Sequence, residues 1–251
     1  MKTLGIIGGL GPLAGAYFYR RLIELSPATA DSEHIPVILI SDPTIPSRIE
    51  HLSGTGESPV PKLVEVAQKL MYVGADFIAM PSTTTSIYHS QIAQQVSVPM
   101  VSLIEEVTLA IANSQCRRIG IMGTTPTRTF RAYEGAFRRE AIEAVYPDDE
   151  TQSEIMTLIH TVKQAGAVSD KFLEGGFGST DALLKDLGNQ VVALAHRPWS
   201  EGLDGILLAC TELPVIFPFD GPSQSSAFQG TLFRSTDILA KTVVQIAFDT
   251  R

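Results

Sequence analysis

Cysteine is scarce in this chain of 251 residues, with Cys116 and Cys210 its only two thiols. Two thiols build neither a disulfide framework nor a thiolate metal cage, and a cytoplasmic protein is the expectation. The histidines His34, His51, His89, His160 and His196 are scattered, with no HExxH pair to suggest a metal. No apolar run reaches the length of a membrane span. The opening run Leu4-Gly5-Ile6-Ile7-Gly8-Gly9 is too short for the apolar part of a signal peptide. Basic excess is missing as well. A net charge of −8 argues against a nucleic-acid surface, although it leaves room for a local cationic pocket.

What is present is ordinary globular material, 44% hydrophobic and 18% charged, in a chain long enough for one large or two smaller α/β domains. Short apolar runs at 3–8, 36–41, 76–80 and 98–103 alternate with stretches of helical spacing, the pattern of a mostly parallel sheet. The pattern restarts at 118–122 and returns at 204–209. Between them, Thr127 to Ala144, Glu150 to Ala165 and Thr180 to His196 read as helices. A last helix is expected from Thr236 to Phe248, with Ser235 as its N-cap.

Two offsets expose an internal repeat. Gly74, Asp76, Ile78, Ser82 and Thr83 recur 128 positions later as Gly202, Asp204, Ile206, Cys210 and Thr211. Gly5-Ile6-Ile7-Gly8 recurs as Gly120-Ile121-Met122-Gly123, at an offset of 115. The fold expected is therefore α/β, with two pseudo-symmetric domains of mostly parallel sheet and an active site in the cleft between them. The boundaries drawn are 1–103 plus 218–251 for the first domain and 104–217 for the second, with Phe217 to Gly230 as a surface loop. Ser82 and Cys210 then occupy equivalent places at strand ends.

The stretch after the third apolar run, Ser82-Thr83-Thr84-Thr85-Ser86, carries five hydroxyls and no charge. Turns are usually built from Gly, Asn, Asp and Pro, so a hydroxyl cluster at a strand end points to contact chemistry. Cys210-Thr211-Glu212-Leu213-Pro214 is its partner motif; a buried inert cysteine is the bland alternative. Cys116 lacks comparable context and reads as structural. Arg48, after the stiff Pro43 to Pro46 loop, is either a solvated arginine or a fork for a carboxylate, and Lys163 is equally two-sided. Gly9-Leu10-Gly11-Pro12-Leu13-Ala14 formally matches GxGxxA, but Pro12 removes an amide and Asp42 is misplaced for a ribose acid. A nicotinamide enzyme is accordingly an outside possibility. No GxSxG surrounds Ser82, which disfavours a serine hydrolase.

Taken together, these motifs resemble the aspartate/glutamate racemase family. The resemblance runs through Gly5 to Pro12, Pro46-Ser47-Arg48, Met80 to Thr84, Ser102 to Glu106, Gly123-Thr124-Thr125, Val162-Lys163 and Cys210 to Pro214. It implies a cofactor-independent 1,1-proton transfer at Cα of an acidic amino acid, aspartate before glutamate, in a homodimeric enzyme. Cys210 matches one of the family's two catalytic thiols. Ser82 stands where the other usually does, and a hydroxyl is a far weaker acid than a thiol, whose thiolate a suitable site makes accessible near neutrality. An enzyme with unequal bases, a Cys→Ser substrate trap, a non-catalytic acidic amino-acid binder and a related diacid isomerase all remain open. The resemblance further assigns substrate contact to Gly9, Leu10, Arg48, Thr83, Thr84, Thr85, Thr124, Lys163, Thr211 and Glu212. Arg48 and Lys163 are expected on the side-chain carboxylate, and the hydroxyls and amides of Thr83, Thr84, Thr124 and Thr211 on the α-carboxylate.

Overall fold

A computed structural model of the chain describes residues 1–167, 176–216 and 230–249. It divides into two compact units, Met1–Val107 with Thr236–Arg251, and Thr108–Ser235. The units change at 107/108 and 235/236, where sequence alone placed 103/104 and 217/218. The expected loop from Phe217 to Gly230 lies, but for its last residue, outside the described residues.

The first unit holds β1 (Leu4–Gly8), α1 (Pro12–Leu25), β2 (Val37–Ser41), α2 (Arg48–Leu52), α3 (Val60–Tyr72), β3 (Phe77–Ala79), α4 (Thr83–Ser86), α5 (His89–Ala93), β4 (Met100–Val101) and the start of α6 (Leu103–Asn113). Its sheet is parallel in the order β2-β1-β3-β4. Parallel strands need covered faces, which is why β1 and β3 are buried along their whole length. Helix α3 supplies part of that cover. Its Leu63, Val66, Ala67 and Leu70 follow the i, i+3, i+4, i+7 spacing of a single helical face, and they pack with Ile7, Ile78 and Met80 in one core.

The second unit contains β5 (Arg118–Met122), α7 (Thr125–Thr129), α8 (Glu134–Arg139), β6 (Glu143–Val145), α9 (Asp149–Ala167), α10 (Gly176–Ala195), β7 (Gly205–Leu208) and β8 (Thr231–Arg234). Its order, β6-β5-β7-β8, is the first sheet's order repeated, again wholly parallel. The final helix, α11 (Ser235–Phe248), returns to the first unit. The Ser235 hydroxyl, expected as its cap, donates to the Leu208 carbonyl oxygen at 2.8 Å.

The repeated glycine and aspartate have one physical cause in both units. Gly74 and Gly202 take positive φ, 99° and 71°, to turn the chain into β3 and β7. Two residues later, Asp76 Oδ2 accepts the amide of Thr3 at 2.6 Å, and Asp204 Oδ2 accepts the amides of Arg117 and Arg118 at 2.7 and 2.8 Å. Each aspartate thus satisfies backbone donors where the neighbouring central strand starts. Those amide bonds hold the Asp204 carboxyl below the usual range.

One expectation is corrected, and one strand goes beyond those the sequence marks. Thr127 to Ala144 is not one helix: Arg131 and Ala141 adopt φ of 48° and 54°, which breaks the segment into α7, α8 and the edge strand β6. The helical spacing persists because Tyr133, at the N-cap of α8, and Phe137, one turn on, are both buried. Strand β8, which pairs with β7, carries no apolar run in the sequence, since only Phe233 of its four residues is buried.

Candidate active site

In the first unit the expected residues collect at the carboxyl ends of β1 and β3. Ile6 pairs with Ala79, so Gly9-Leu10 and Ser82 leave neighbouring strands at the same edge. Gly9 takes φ +84°, and a Cβ there would stand 2.4 Å from the Asp42 backbone. Its glycine is therefore required by close chain approach as well as by conformation. Arg48 opens α2 rather than lying in the loop. Its guanidinium donates to the carbonyl oxygens of Pro46 and Leu10 at 3.3 Å and of Ile45 at 3.5 Å, which ties it to the Gly9-Leu10 turn.

Ser82 precedes α4 in extended conformation and is only 5% exposed. Its Oγ lies 2.7 Å from Thr85 Oγ1, and its carbonyl oxygen accepts from the Ser86 amide and hydroxyl at 2.9 and 2.8 Å. The hydroxyl run is thus partly a self-satisfied turn. Among the described residues Ser82 Oγ has no basic partner, and Thr85, buried beside it, offers only another hydroxyl. Thr83 is buried at the start of α4, with Thr84 next to it half-buried. His89 is turned away to the Met100 carbonyl oxygen at 3.0 Å.

In the second unit β5 and β7 pair from Ile119↔Gly205 to Met122↔Leu208, which sets the Gly123-Thr124 turn beside Ala209-Cys210. Ala209 donates its amide to Met122 O at 2.7 Å. Thr124 caps α7, accepting the Thr127 amide at 3.3 Å. Cys210 is 4% exposed, and its Sγ donates to Glu212 Oε2 at 2.9 Å. Thr211 Oγ1 donates to the same oxygen at 3.4 Å. Lys163 Nζ stands 3.6 Å from Glu212 Oε1, its own side chain 41% exposed. A line of proton-carrying groups therefore runs Cys210, Glu212, Lys163 within one unit.

This arrangement changes the thiol. Burial pushes the Cys210 thiol well above its ordinary range, and the Glu212 charge and hydrogen bond push the same way, opposed by Lys163. A suitable site can make a thiolate accessible near neutrality; here burial first, and the Glu212 carboxylate second, favour the protonated thiol. The native thiol holds its proton more tightly than the unfolded chain does. Its stabilising contribution is then complete below about pH 8.5 and is lost as pH rises toward the native value. Thermal melts between roughly pH 8 and 10 are expected to fall more steeply for this protein than for Cys210→Ala; parallel slopes would contradict the buried thiol.

Sequence reasoning did not identify Gln152, on α9, whose Nε2 donates to the Gly123 carbonyl oxygen at 3.0 Å while its Oε1 is buried without a partner among the described residues. A polar residue inside a helix gave no signal of that contact. Among the described residues no group of three or more His, Cys, Asp or Glu is placed to hold a metal ion. No described helix is long and apolar enough to cross a membrane.

A family model for Asp/Glu/hydantoin racemase matches residues 7–243. The broad specificity amino-acid racemase RacX of Bacillus subtilis (strain 168) is 26% identical over 220 residues, 85% of this chain and 86% of that protein. Among solved structures, aspartate racemase from Picrophilus torridus superposes with a TM-score of 0.78 at 27% identity, covering 98% of this chain and 94% of that one. Glutamate racemase isoform RacE1 from Bacillus anthracis, 14% identical, shares the fold with a TM-score of 0.61 over 98% of this chain and 81% of its own.

Proposed function

The chain belongs to the Asp/Glu/hydantoin racemase family, and we propose that within it this protein moves protons at the Cα of an acidic amino acid, with Cys210 as its competent acid and base. The observation that carries this is the Cys210 thiol donating to the buried Glu212 carboxylate. In the forward step Glu212 accepts the thiol proton as the sulfur accepts the Cα proton, so that no free thiolate accumulates beside the carboxylate. Charge left on the substrate carbanion is stabilised by the donors around it, the task an iminium cofactor otherwise performs. Pyridoxal phosphate has no part in this scheme.

Racemisation requires a proton delivered to the opposite face of Cα, and Ser82 is assigned that role. Its hydroxyl, bonded to Thr85, is a weak acid and a weaker base. Solvent exchange of one enantiomer is therefore fast relative to net racemisation. Arg48 is assigned to the side-chain carboxylate as a fork, and Lys163 to charge compensation across Glu212 or the substrate. The Leu10 carbonyl oxygen holds Arg48, and Gly9 beside it brings the turn close to the Asp42 backbone; both are assigned to substrate contact. Thr83, Thr84, Thr124 and Thr211 supply donors to the α-carboxylate, and aspartate is the preferred substrate, in a homodimer.

A test follows from the division of labour. Chiral chromatography of incubations with L-aspartate, L-glutamate and L-alanine should show slow conversion of the acidic pair. Replacing Arg48 by Leu is expected to raise KM for aspartate by about tenfold to a hundredfold, with alanine little changed. Equal effects on aspartate and alanine would remove the clamp. Binding without turnover is the second possibility, favoured by the absence of any basic partner for Ser82 Oγ among the described residues.

A further inference from the structure

Tyr88 takes no part in the scheme above, yet it occupies an unusual place. It follows α4, donates its amide to the Thr85 carbonyl oxygen at 3.0 Å, and so shares a helical turn with the partner of Ser82. Its ring packs against His51, with centroids 5.8 Å apart and planes tilted by 48°. His51 lies on α2, the helix that Arg48 opens. The two segments assigned to substrate in the first unit therefore meet at this tyrosine.

The side chain is 4% exposed, and its Oη is buried with no hydrogen-bond partner among the described residues. By contrast, Tyr17 in the same unit donates its hydroxyl to Asp237 Oδ1 at 2.8 Å. An unpaired buried hydroxyl is unfavourable, and a phenylalanine would fill nearly the same volume without it. Burial pushes the Tyr88 phenol up, and the Arg48 guanidinium, acting on it electrostatically, pulls it back. A donor without an acceptor thus sits in the field of a cation, where an anion brought to that cation supplies the missing acceptor.

We propose that Tyr88 is a specificity-determining residue for the substrate, its hydroxyl donating to the carboxylate that Arg48 binds. This rests on the acidic substrate proposed above and adds a second donor to the clamp. A carboxylate offers two oxygens, so a guanidinium and a phenol engage it together without competing.

The test is calorimetric titration of the full chain and of Tyr88→Phe with L-aspartate and with succinate, a diacid that has no amino group. Ligand-free melting temperatures are measured beside it. Tyr88→Phe is expected to bind both diacids about tenfold or more weakly, with a melting temperature unchanged or raised. Equal affinities for the two proteins would overturn the inference and leave the acidic-substrate assignment standing. A lowered melting temperature with unchanged affinity would make Tyr88 purely structural. Failure of the parent protein to bind either diacid would overturn the acidic-substrate assignment, and the inference with it.

Discussion

Replacing Ser82 by Cys is expected to raise the rate of aspartate racemisation by about two to four orders of magnitude, the contribution typical of a well-placed general acid or base. The position is prepared for it. Ser82 ends the buried β3 segment, is almost wholly enclosed, and sets its Oγ 2.7 Å from Thr85. A hydroxyl there has no group to take its proton, whereas a thiol in the same place is by far the stronger acid. The sulfur is larger than the oxygen it replaces, and Thr85 must yield a few tenths of an ångström. The associated loss of stability is about 1–2 kcal/mol, in the range of modest overpacking. Chiral chromatography on both proteins checks the rate. An unchanged rate in a folded variant would mean that residue 82 does not serve the second face of Cα.

The second large effect is a loss. Cys210→Ala should reduce proton exchange at Cα to the uncatalysed background, by roughly three orders of magnitude or more. Structurally the change removes one donor from the buried Glu212 carboxylate, which keeps the Thr211 hydroxyl at 3.4 Å. What disappears is the sulfur that donates to Glu212, and with it the proposed route of the proton. The Glu212 carboxylate keeps its Lys163 neighbour at 3.6 Å. Cys116→Ala is the matched control. Cys116 lies before β5 in the second unit, its Sγ 3.9 Å from the Asp204 carbonyl oxygen, and its removal should leave the rate unchanged.

Much of this architecture is written in the two offsets. Gly74 and Gly202 are needed for positive φ, and Asp76 and Asp204 for backbone donors at the start of β1 and β5; local demands of that kind leave identical residues at fixed spacing. Strands β6 and β8 left no such mark. Both are edge strands with few buried positions, so no apolar run is required of them. The break inside Thr127 to Ala144 was hidden for a related reason: residues with positive φ other than glycine, Arg131 and Ala141, carry no compositional signal.

At the site, residue types were legible and their partners were not. The hydroxyl run announced Ser82, but nothing in Ser82-Thr83-Thr84-Thr85 says that the first hydroxyl turns to the fourth. Glu212 read as a substrate contact, and nothing in its residue type says that its carboxylate also accepts from the Cys210 thiol. Side-chain direction over two residues depends on the turn that follows β7, where Leu213 donates its amide back to the Cys210 carbonyl oxygen. Lys163 reaches Glu212 across 49 positions, a contact that depends on how α9 packs.

Proton exchange at Cα is the most direct test of Cys210 as the working base. L- and D-aspartate are incubated separately in deuterated buffer with this protein and with its Cys210→Ala variant, and the Cα proton signal is followed by NMR. The parent should erase that signal in one enantiomer while forming little of the other, and the variant should erase it in neither. Equal loss in both proteins, or none with the parent, would contradict the assignment of Cys210 as the base that takes the proton from Cα.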